Sequence, residues 1–537
     1  MSSAGHQHVV GELLRHRASA YPDRPYCYVA GKGYTFAELD RRSDEVAAGF
    51  AAHGVGKGDR VALLMPNRIE FIEAYFGLAK LGAIQVPLNA FLKGDFLRHQ
   101  LADSRASVVI LDNAGYAAVE PLLEHLPELR LLVPLDPPPS DRPASTVEVL
   151  AFDDVVASGG GTPPQVQVSL DDPMSILYTS GTTGFPKGCV LPHGYYARVG
   201  RVAIHGLELT EDDSLFAPLP MFHLSGGIFM LISALIMGIP VHYAPQFSAK
   251  TFMSDAVAAE ATVVLGVGAM SLALLSTPPG PADRAHRIRA MMVAPLGPAD
   301  QERFRERFGI DPWTEVYGQT ECMPVTVTPI SAPRDPAGCG VAAPDLEVAL
   351  LLDDLTVAPD GEVGEICLRP REKFAIFDGY WDNSAATLKS FQGLWYHTGD
   401  FARRLPSGQI AFVDRKSDAL RRKGENVSSL ELENAIRRIS AVADVAVHGV
   451  PAETTEDEIK ACIVLKPDMS ITPVELFEFF RTELPYFAIP RYIEILESLP
   501  VNAMNRVMKH QLRARPNGDD VWDFTKLGLA VAAADRR

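Results

Sequence analysis

The segment 178–188 combines the residue types that hold a small anion. It reads Tyr-Thr-Ser-Gly-Thr-Thr-Gly-Phe-Pro-Lys-Gly. Its glycines allow backbone N–H groups to crowd around an anion, its hydroxyls add donors, and Lys187 supplies a positive charge. Because Gly188 follows Lys187 and no helical pattern begins there, the segment is not a Walker A loop. An ordinary Gly-rich hairpin turn would not need this density of hydroxyls, so the segment predicts an anion-binding loop.

Three further segments follow this loop along the chain. They are Tyr317-Gly-Gln-Thr-Glu321, Tyr396-His-Thr-Gly-Asp400 and the basic run 414–427. With the loop, and in this order, they resemble the adenylate-forming superfamily of acyl-CoA synthetases, peptide-synthetase adenylation domains and luciferases. The resemblance covers about residues 10–515. The stretches 421–433 and 268–270 are most similar to the carnitine/crotonobetaine–CoA ligase subfamily.

The resemblance implies ATP, Mg²⁺ and CoA as cofactors and a reaction in two steps. A carboxylate attacks the α-phosphorus of ATP to give an acyl-AMP, and a nucleophile then displaces AMP. Mg²⁺, Lys187 and loop N–H groups would offset the phosphate charge during the in-line displacement. By position, Thr320 resembles a phosphate donor, Glu321 the Mg²⁺-binding carboxylate, and Asp400 the carboxylate that accepts both ribose hydroxyls. The other residues implied on the nucleotide and cofactor side are Thr179, Ser180, Gly181, Thr182, Thr183, Gly184, Tyr317 (which packs on adenine), Gly318, Arg415 and Gly424 (beside the thiol tunnel).

The segment Pro220-Met-Phe-His223 bears on the acid that is activated. Amino-acid-activating relatives carry an Asp where this chain has His223, so the resemblance argues against an α-amino acid. His223 resembles the residue that gates the tunnel in acyl-CoA and aryl-CoA ligases, and a core histidine bonded to backbone is the alternative. The implied lining is small, apolar or neutral, and favours a hydrophobic or aromatic carboxylate. The candidate pocket residues are His223, Gly227, Gly268, Met270, Gln319 and Cys322.

The sequence departs from the family pattern near its C-terminal end. Asn505-Arg506 stands where the family has Gly-Lys, whose lysine contacts the carboxylate and an ATP phosphate. Arg506 keeps the charge but brings a larger planar group, so the geometry changes. We expect Arg506 to take over the role, with Lys509 a surface residue; the alternative is an adenylation step that differs from the family norm.

Three functions are therefore compared. The leading hypothesis is an AMP-forming acid–CoA ligase. The second is an adenylate-forming ligase with a nitrogen acceptor, either an amide former or a diazotase that joins nitrite to an aromatic amine. The third is a non-catalytic homologue that binds nucleotide, and the presence of Lys187, Glu321, Asp400 and Arg415 argues against it.

The elements that must hold these motifs alternate between strands and helices. Residues 60–65 read as a buried strand, 69–81 as a helix and 84–87 as the next strand, and this β-α-β rhythm predicts an α/β fold. Residues 135–168, rich in Pro, Ser and Gly, predict a surface excursion. Together with the resemblance, this rhythm predicts a large N-terminal α/β domain with a β subdomain over residues 1–416. A small mobile α+β domain over 417–515, which swings about Ser417, is expected to follow. Residues 516–537 are predicted to form a loosely docked tail.

Composition restricts the class of protein further. The 537 residues include 50 Lys plus Arg against 67 Asp plus Glu, a formal charge of -17 that disfavours nucleic acid as a partner. Six scattered cysteines without a CxxC pair disfavour disulfides and a zinc site and fit a reducing cytoplasm. The apolar stretch 224–243 contains Gly and Pro and predicts a buried helix followed by a strand, not a membrane span. The sequence leaves homo-oligomer formation open.

Overall fold

The computed structural model describes residues 8–137, 146–179, 186–415, 420–422, 425–427, 429–451, 457–500, 507, 509–518 and 520–531. The chain divides into two compact units. The larger unit comprises Met1–Ala90, Leu101–Tyr178 and Gly188–Lys416, and the smaller one comprises Phe91–Gln100, Thr179–Lys187 and Ser417–Arg537. Besides the part that begins at Ser417, the smaller unit therefore contains two segments that fall within the predicted N-terminal domain 1–416.

Two seven-stranded sheets form the framework of the larger unit. One has the strand order β7-β6-β5-β3-β4-β8-β9 and is parallel from β7 to β8. Strands β5 and β6 and all but the first residue of β3 are apolar and buried, which is typical of parallel strands covered on both faces. The elements in this part of the chain are α2 (Phe36–Ala52), β3 (Arg60–Leu64), α3 (Ile69–Leu81), β4 (Ile84–Pro87), α4 (Gly94–Ser104), β5 (Val108–Leu111), α5 (Asn113–Val119), β6 (Leu131–Pro134), β7 (Glu148–Val149), α6 (Phe152–Ser158), β8 (Pro173–Thr179), β9 (Lys187–Pro192) and α7 (His193–Leu207). Residues 94–100 of α4 belong to the smaller unit.

The second sheet has the order β14-β13-β12-β10-β11-β1-β2, with β2 antiparallel at its edge. The stretch 224–243 forms a buried π-helix, a helix and a strand of this sheet, as predicted. Within the described residues no helix is long and apolar enough to cross a membrane. The elements are α1 (Val10–Ala20), β1 (Pro25–Val29), β2 (Lys32–Thr35), β10 (Leu215–Ala217), the π-helix Leu224–Ile228, α8 (Phe229–Met237), β11 (Val241–Tyr243), α9 (Phe252–Ala258), β12 (Val263–Leu265), α10 (Gly268–Ser276), β13 (Ala290–Met292), α11 (Pro298–Phe308) and β14 (Pro312–Trp313).

A hairpin and a five-stranded antiparallel sheet complete the larger unit. The hairpin joins β15 to β16, and in the sheet β17, β18, β20 and β19 follow in order while β21 pairs with β20. This sheet is the predicted β subdomain, and its β18–β20 pairing positions the Tyr396–Asp400 motif. The elements are β15 (Val316–Gln319), β16 (Cys322–Val327), β17 (Leu346–Leu351), β18 (Val363–Pro370), α12 (Ser384–Lys389), β19 (Phe391–Gln392), β20 (Trp395–Arg404) and β21 (Ile410–Arg415).

The smaller unit is built on a four-stranded mixed sheet of order β24-β25-β26-β27. Its last strand pairs with β26, and Phe524 is buried against Phe477 and Phe480. This part of the C-terminal segment is therefore docked by strand pairing, where the sequence suggests a loosely docked tail. The elements are β22 (Leu420–Arg422), β23 (Glu425–Val427), α13 (Ser429–Arg437), β24 (Val442–Pro451), β25 (Asp457–Leu465), α14 (Pro473–Glu483), β26 (Tyr492–Leu496), α15 (Lys509–Arg513) and β27 (Val521–Asp523).

Most core elements follow the sequence pattern, and one prediction is wrong. Helix α3 and strand β4 have the predicted bounds, and Thr35 and Glu38 form a capping box at α2. The region 135–168 contains edge strand β7 and helix α6, not merely a surface excursion. Phe152 and Val155 of α6 are buried, because two apolar side chains at helical spacing suffice to dock a short helix on the layer.

An ion pair in the interior fixes α7 against the hairpin β15–β16. The Arg198 guanidinium donates to both Asp345 oxygens at 2.6 and 2.8 Å, and Arg198 is 0% exposed. The same guanidinium donates to the carbonyl oxygens of Met323 at 2.6 Å and Pro324 at 2.9 Å. Arg198 thus holds the strand that begins directly after Glu321.

Replacing Asp345 with Asn should destabilise the larger unit strongly, because the buried Arg198 charge loses its counter-charge. We expect a loss of about 3–5 kcal/mol in unfolding free energy. The control is Glu347→Gln, which removes the half-exposed partner of Arg369 two residues away and should cost no more than about 1 kcal/mol. Calorimetry of the full chain measures both variants, and equal shifts of the larger unit's transition would contradict the account.

Candidate active site

The hairpin β15–β16 carries the Tyr317–Glu321 motif, and helix α7 lies behind it. Gln319 pairs with Cys322 across the tight end, so Thr320 and Glu321 form the turn. The Tyr195 hydroxyl donates to the Thr320 carbonyl oxygen at 2.9 Å. Together with Arg198, this contact fixes the backbone of the turn from the helix side.

The Glu321 carboxylate is buried and receives a hydroxyl donor. Glu321 is 8% exposed, and the Tyr380 hydroxyl donates to its Oε1 at 2.8 Å. Burial and the neighbouring Glu321 charge raise the pKa of Tyr380, so the phenol stays protonated and remains a donor. Tyr380 is not among the site residues predicted from the sequence. Its aromatic pair with Trp381, directly after Gly379, is the local feature that could have drawn attention to it.

The segment around Tyr380 also contacts the strand that follows the anion-binding loop. Tyr380 forms a β-bridge with Cys189, and the Trp381 N–H donates to the Gly188 carbonyl oxygen at 2.7 Å. The Trp381 indole N–H reaches the Asp103 carbonyl oxygen at 3.1 Å. One short segment therefore links strand β9 with the Glu321 carboxylate.

The residue before the loop is anchored as well. The Tyr178 hydroxyl donates to Asp103 Oδ2 at 2.6 Å, and burial with the Asp103 contact raises the pKa of Tyr178. Thr179 is the last residue of β8 and Lys187 the first of β9. The predicted contacts of Ser180, Gly181, Thr182, Thr183 and Gly184 lie outside the described residues.

Asp400 is buried in strand β20 and linked to the Tyr317 motif. Asp400 is 3% exposed, and its Oδ2 accepts from the Tyr317 hydroxyl at 2.6 Å and the Gln319 amide at 3.0 Å. The Gln319 amide also donates to the Thr398 carbonyl oxygen at 2.8 Å. Backbone pairing of β20 with β21 sets Asp400 opposite Arg415. The structure thus brings together Tyr317, Gly318, Thr320, Glu321, Asp400 and the Arg415 backbone.

A second carboxylate supports the part of strand β20 that leads to Asp400. Glu365 of β18 accepts from the His397 ring nitrogen at 3.0 Å and from the Gly399 N–H at 3.0 Å. Gly399 has a φ of +75°, a conformation that favours glycine. Ligand-type atoms of Glu365, Cys367 and His397 lie within 4.8 Å of one another. Strand pairing of Cys367 with His397 explains this proximity, and the hydrogen bonds give these groups a positioning role.

The residues predicted to line the acyl pocket have several distinct environments. His223 is partly exposed at the start of the π-helix, whereas Met270 is 9% exposed. A Cβ at Gly227 would lie 2.4 Å from Met221 Cα, and one at Gly268 would lie 1.7 Å from the Pro295 oxygen. Close backbone approach therefore explains both glycines. Gln319 uses its side-chain amide to donate to Asp400 Oδ2, so its role is to support that carboxylate.

Cys322 departs from its predicted role. It is 0% exposed, its thiol lies 3.2 Å from the Ala375 carbonyl oxygen, and burial raises its pKa to about 12. It belongs to the core behind the hairpin because strand β16 turns inward directly after Glu321. This burial argues against the predicted place of Cys322 in the substrate pocket.

Of the two C-terminal cations considered in the sequence, Arg506 and Lys509, the structure describes Lys509. Arg506 and Gly424 lie outside the described residues. Lys509 is not a plain surface residue: its ammonium contacts Glu433 Oε1 at 2.8 Å and donates to the Ser429 hydroxyl at 2.8 Å. Glu433 is 6% exposed and also accepts from the Val447 N–H at 2.9 Å. Lys509 therefore fastens helix α15 to α13.

The family model of AMP-binding enzymes matches residues 14–381, and the model of the AMP-binding enzyme C-terminal domain matches residues 431–505. The chain belongs to the AMP-binding enzyme family. A crotonobetaine/carnitine–CoA ligase from Shigella flexneri is 32% identical over 486 residues, 89% of this chain and 93% of that protein. This confirms the resemblance stated from the motifs.

Solved structures agree with this AMP-binding assignment. An o-succinylbenzoate CoA synthetase from Bacillus subtilis has a TM-score of 0.81 at 26% identity and covers 94% of this chain and 98% of its own. An anthranilate CoA ligase in complex with anthranoyl-AMP has a TM-score of 0.71 at 25% identity, with 96% and 98% covered. The predicted large α/β domain and small C-terminal domain are thereby confirmed.

Replacing Tyr380 with Phe removes one hydroxyl from this AMP-binding enzyme and leaves the ring in place. The Glu321 carboxylate then loses a described donor, and we expect pyrophosphate formation to fall about tenfold. Stopped assays of pyrophosphate release measure the effect. Tyr116→Phe, a buried tyrosine of α5, is the control, and equal activity of the two variants would contradict a role for Tyr380 in holding Glu321.

Cys322 should resist alkylation in the folded protein. Because its pKa is raised to about 12, very little thiolate is present at pH 8, and burial blocks access. Mass spectrometry after iodoacetamide treatment should find Cys322 unmodified until denaturant is added. Rapid modification that ATP and an acid substrate prevent would instead return Cys322 to the substrate pocket.

Proposed function

We propose that the protein is an AMP-forming acid–CoA ligase that activates a hydrophobic or aromatic carboxylate with ATP. The observation that carries this proposal is the pair of buried carboxylates, Glu321 in the turn of the hairpin β15–β16 and Asp400 on β20, which hydrogen bonds from Tyr317 and Gln319 connect. Matches to both domains of AMP-binding enzymes support it. The relatives above are named as CoA ligases or synthetases, which favours CoA over a nitrogen acceptor.

In the first step a carboxylate oxygen of the acid attacks the α-phosphorus of ATP. A new C–O–P linkage forms, the bond to pyrophosphate breaks, and acyl-AMP and pyrophosphate result. Asp400 holds the ribose hydroxyls, and Lys187 with the loop N–H groups holds phosphate oxygens. In the second step the CoA sulfur attacks the acyl carbon, its proton is lost to solvent, and AMP leaves with the bonding pair.

Glu321 is the residue of this chain that fits Mg²⁺. A carboxylate is the hard oxygen ligand that Mg²⁺ prefers, and the Tyr380 hydroxyl orients it. Mg²⁺ bound there would neutralise charge on the phosphates. The chain's own contribution is to present this carboxylate at the end of a rigid turn, held by Tyr195, Arg198 and Tyr380.

The domain assignment and the C-terminal cation complete the proposal. Residues 1–416 form the nucleotide-binding domain and 417–515 the mobile C-terminal domain. Lys509 is held by Glu433 and Ser429, so Arg506 is the cation of the segment 499–509 that we assign to adenylation. The acyl-side residues His223 and Met270 contribute no carboxylate for a cationic acid, which supports a hydrophobic or aromatic substrate.

Incubation of the purified protein with ATP, Mg²⁺ and a pool of aromatic and medium-chain acids tests the function. The incubation is done once with CoA and once without it. Mass spectrometry should find one acyl-CoA formed together with AMP and pyrophosphate. AMP that appears only with nitrite or an amine would favour the nitrogen-acceptor ligase instead. Absence of AMP under every condition would contradict both ligase hypotheses.

Glu321→Ala should lower pyrophosphate release severely, by about a hundredfold or more, because the proposed metal ligand is lost. Glu347→Gln, at an exposed ion pair, is the matched control and should be normal. Near-normal pyrophosphate release by Glu321→Ala would refute the metal role.

Arg506→Ala and Lys509→Met separate the two C-terminal cations. Arg506→Ala should lower acyl-AMP formation about a hundredfold while the thermal stability is unchanged. Lys509→Met should lower the stability of the smaller unit, since it leaves the buried Glu433 without its cation. Adenylation that survives in Arg506→Ala but is lost in Lys509→Met would reverse the assignment.

A further inference from the structure

The side-chain amide of Asn67 joins the two seven-stranded sheets next to His223. Asn67 lies in the turn after β3, a strand of the first sheet, and is 6% exposed. Its amide nitrogen donates to the carbonyl oxygen of Leu219 at 2.9 Å and to that of Ala244 at 2.8 Å. Its amide oxygen accepts from the Met221 N–H at 2.7 Å. These three partners follow strands β10 and β11 of the second sheet.

Capping of the following helix α3 does not explain why position 67 is an asparagine. Asparagine before a helix commonly caps it, but the N-cap of α3 is Arg68 and has no side-chain cap hydrogen bond. The amide of Asn67 is instead used for backbone groups more than 150 residues away in the chain. Because three of its hydrogen-bonding sites are filled by fixed backbone atoms, the amide defines where the turn after β10 lies.

That turn carries His223. Met221, Phe222 and Leu224 are buried, and His223 among them is the partly exposed side chain. The turn closes through the His223 N–H to the Pro220 carbonyl oxygen at 3.2 Å, and the Gly227 N–H returns to the His223 carbonyl oxygen at 3.0 Å. The backbone position of His223 is therefore set by the placement of residues 219–221.

A second anchor holds the far end of the same turn. The Tyr243 hydroxyl, at the end of β11, donates to the Gly227 carbonyl oxygen at 2.5 Å. Gly226 and Gly227 permit the approach, since a Cβ at Gly226 would lie 2.4 Å from the Pro220 oxygen. The π-helix that begins at Leu224 is a local irregularity of the kind that often accompanies functional sites.

We propose that Asn67 is a positioning residue that acts through His223: by fastening the turn 219–221 to the end of β3, it sets the place of His223 and with it the fit of the acid substrate. This inference rests on the proposed function, since His223 is assigned to the acyl side. Asn67 itself does not contact the reacting atoms. Its effect is to keep a partly exposed histidine in one position at the joint of two sheets.

The first test measures the ¹³C signal of the His223 ring, which reports its surroundings in the absence of catalysis. Full-length protein with ¹³C-labelled histidine gives a ring signal for His223, assigned by its loss in His223→Gln. Asn67→Ala should shift or broaden this signal and leave that of His448, in the smaller unit, unchanged. Gln85→Ala is the matched control, because Gln85 is another buried amide, on β4, that donates to the Tyr75 carbonyl oxygen at 2.8 Å. An unmoved His223 signal in Asn67→Ala overturns the proposal.

The second test measures catalysis on the acid identified for the wild type. Asn67→Ala should raise the KM for the acid about tenfold and leave the KM for ATP within about twofold, whereas Gln85→Ala should change neither. In the His223→Ala background, Asn67→Ala should add less than about a twofold effect. Either of two results would overturn the proposal. The first is that the effects of the two substitutions on the KM for the acid multiply, and the second is that the KM for ATP rises as much as the KM for the acid.

The two readouts separate this inference from the proposed function. A wild type without CoA-ligase activity whose His223 signal still responds to Asn67→Ala refutes the function and keeps the positioning role. If Asn67→Ala does not fold, Asn67→Ser and Tyr243→Phe replace it, since each removes anchoring hydrogen bonds at smaller structural cost. Normal His223 signals and a normal KM for the acid in both replacements would overturn the proposal.

Discussion

Burial of two carboxylates, Glu321 and Asp400, is the constraint on which the arrangement of the site depends. A carboxylate removed from water needs fixed donors, and hydroxyl and amide groups supply them here: Tyr380 for Glu321, and Tyr317 with Gln319 for Asp400. Because these described donors are neutral, they orient the charge without cancelling it. In the proposed function this organised site presents one carboxylate to a metal ion and the other to the ribose of a nucleotide.

The supporting contacts connect parts of the chain that are far apart in sequence. Helix α7 holds the hairpin through Arg198 and Tyr195, and the segment around Tyr380 links strand β9 to Glu321. Asn67 does the same for the acyl side by joining the ends of two sheets. Each contact ends on a backbone N–H or carbonyl group, a β-bridge or a carboxylate, so these contacts fix the elements and also provide hydrogen-bond partners for the polar atoms that make them. Such a preorganised site suits charge stabilisation during phosphoryl chemistry.

The motifs and the strand–helix rhythm were sufficient to predict the family and the fold. Helix α3 and strand β4 could be predicted because their apolar patterns are local. The burial of Cys322 could not be predicted from the local sequence, because it depends on how the hairpin β15–β16 packs on helix α7, which is distant in sequence. Helix α6 was missed since two apolar residues within a Pro- and Gly-rich region give a weak signal. The partnership of Asn67 with residues near 220 depends on how two sheets meet, which no local pattern records.

The central claim is that the acid becomes linked to AMP through its own carboxylate oxygen before transfer. Supplying the identified acid with both carboxylate oxygens as ¹⁸O, together with ATP, Mg²⁺ and CoA, tests this most directly by mass spectrometry of the AMP. The account predicts that each AMP carries one ¹⁸O, because the bridging oxygen of acyl-AMP leaves with the phosphate when the CoA sulfur attacks. Unlabelled AMP, or formation of ADP and phosphate in place of AMP and pyrophosphate, would contradict it.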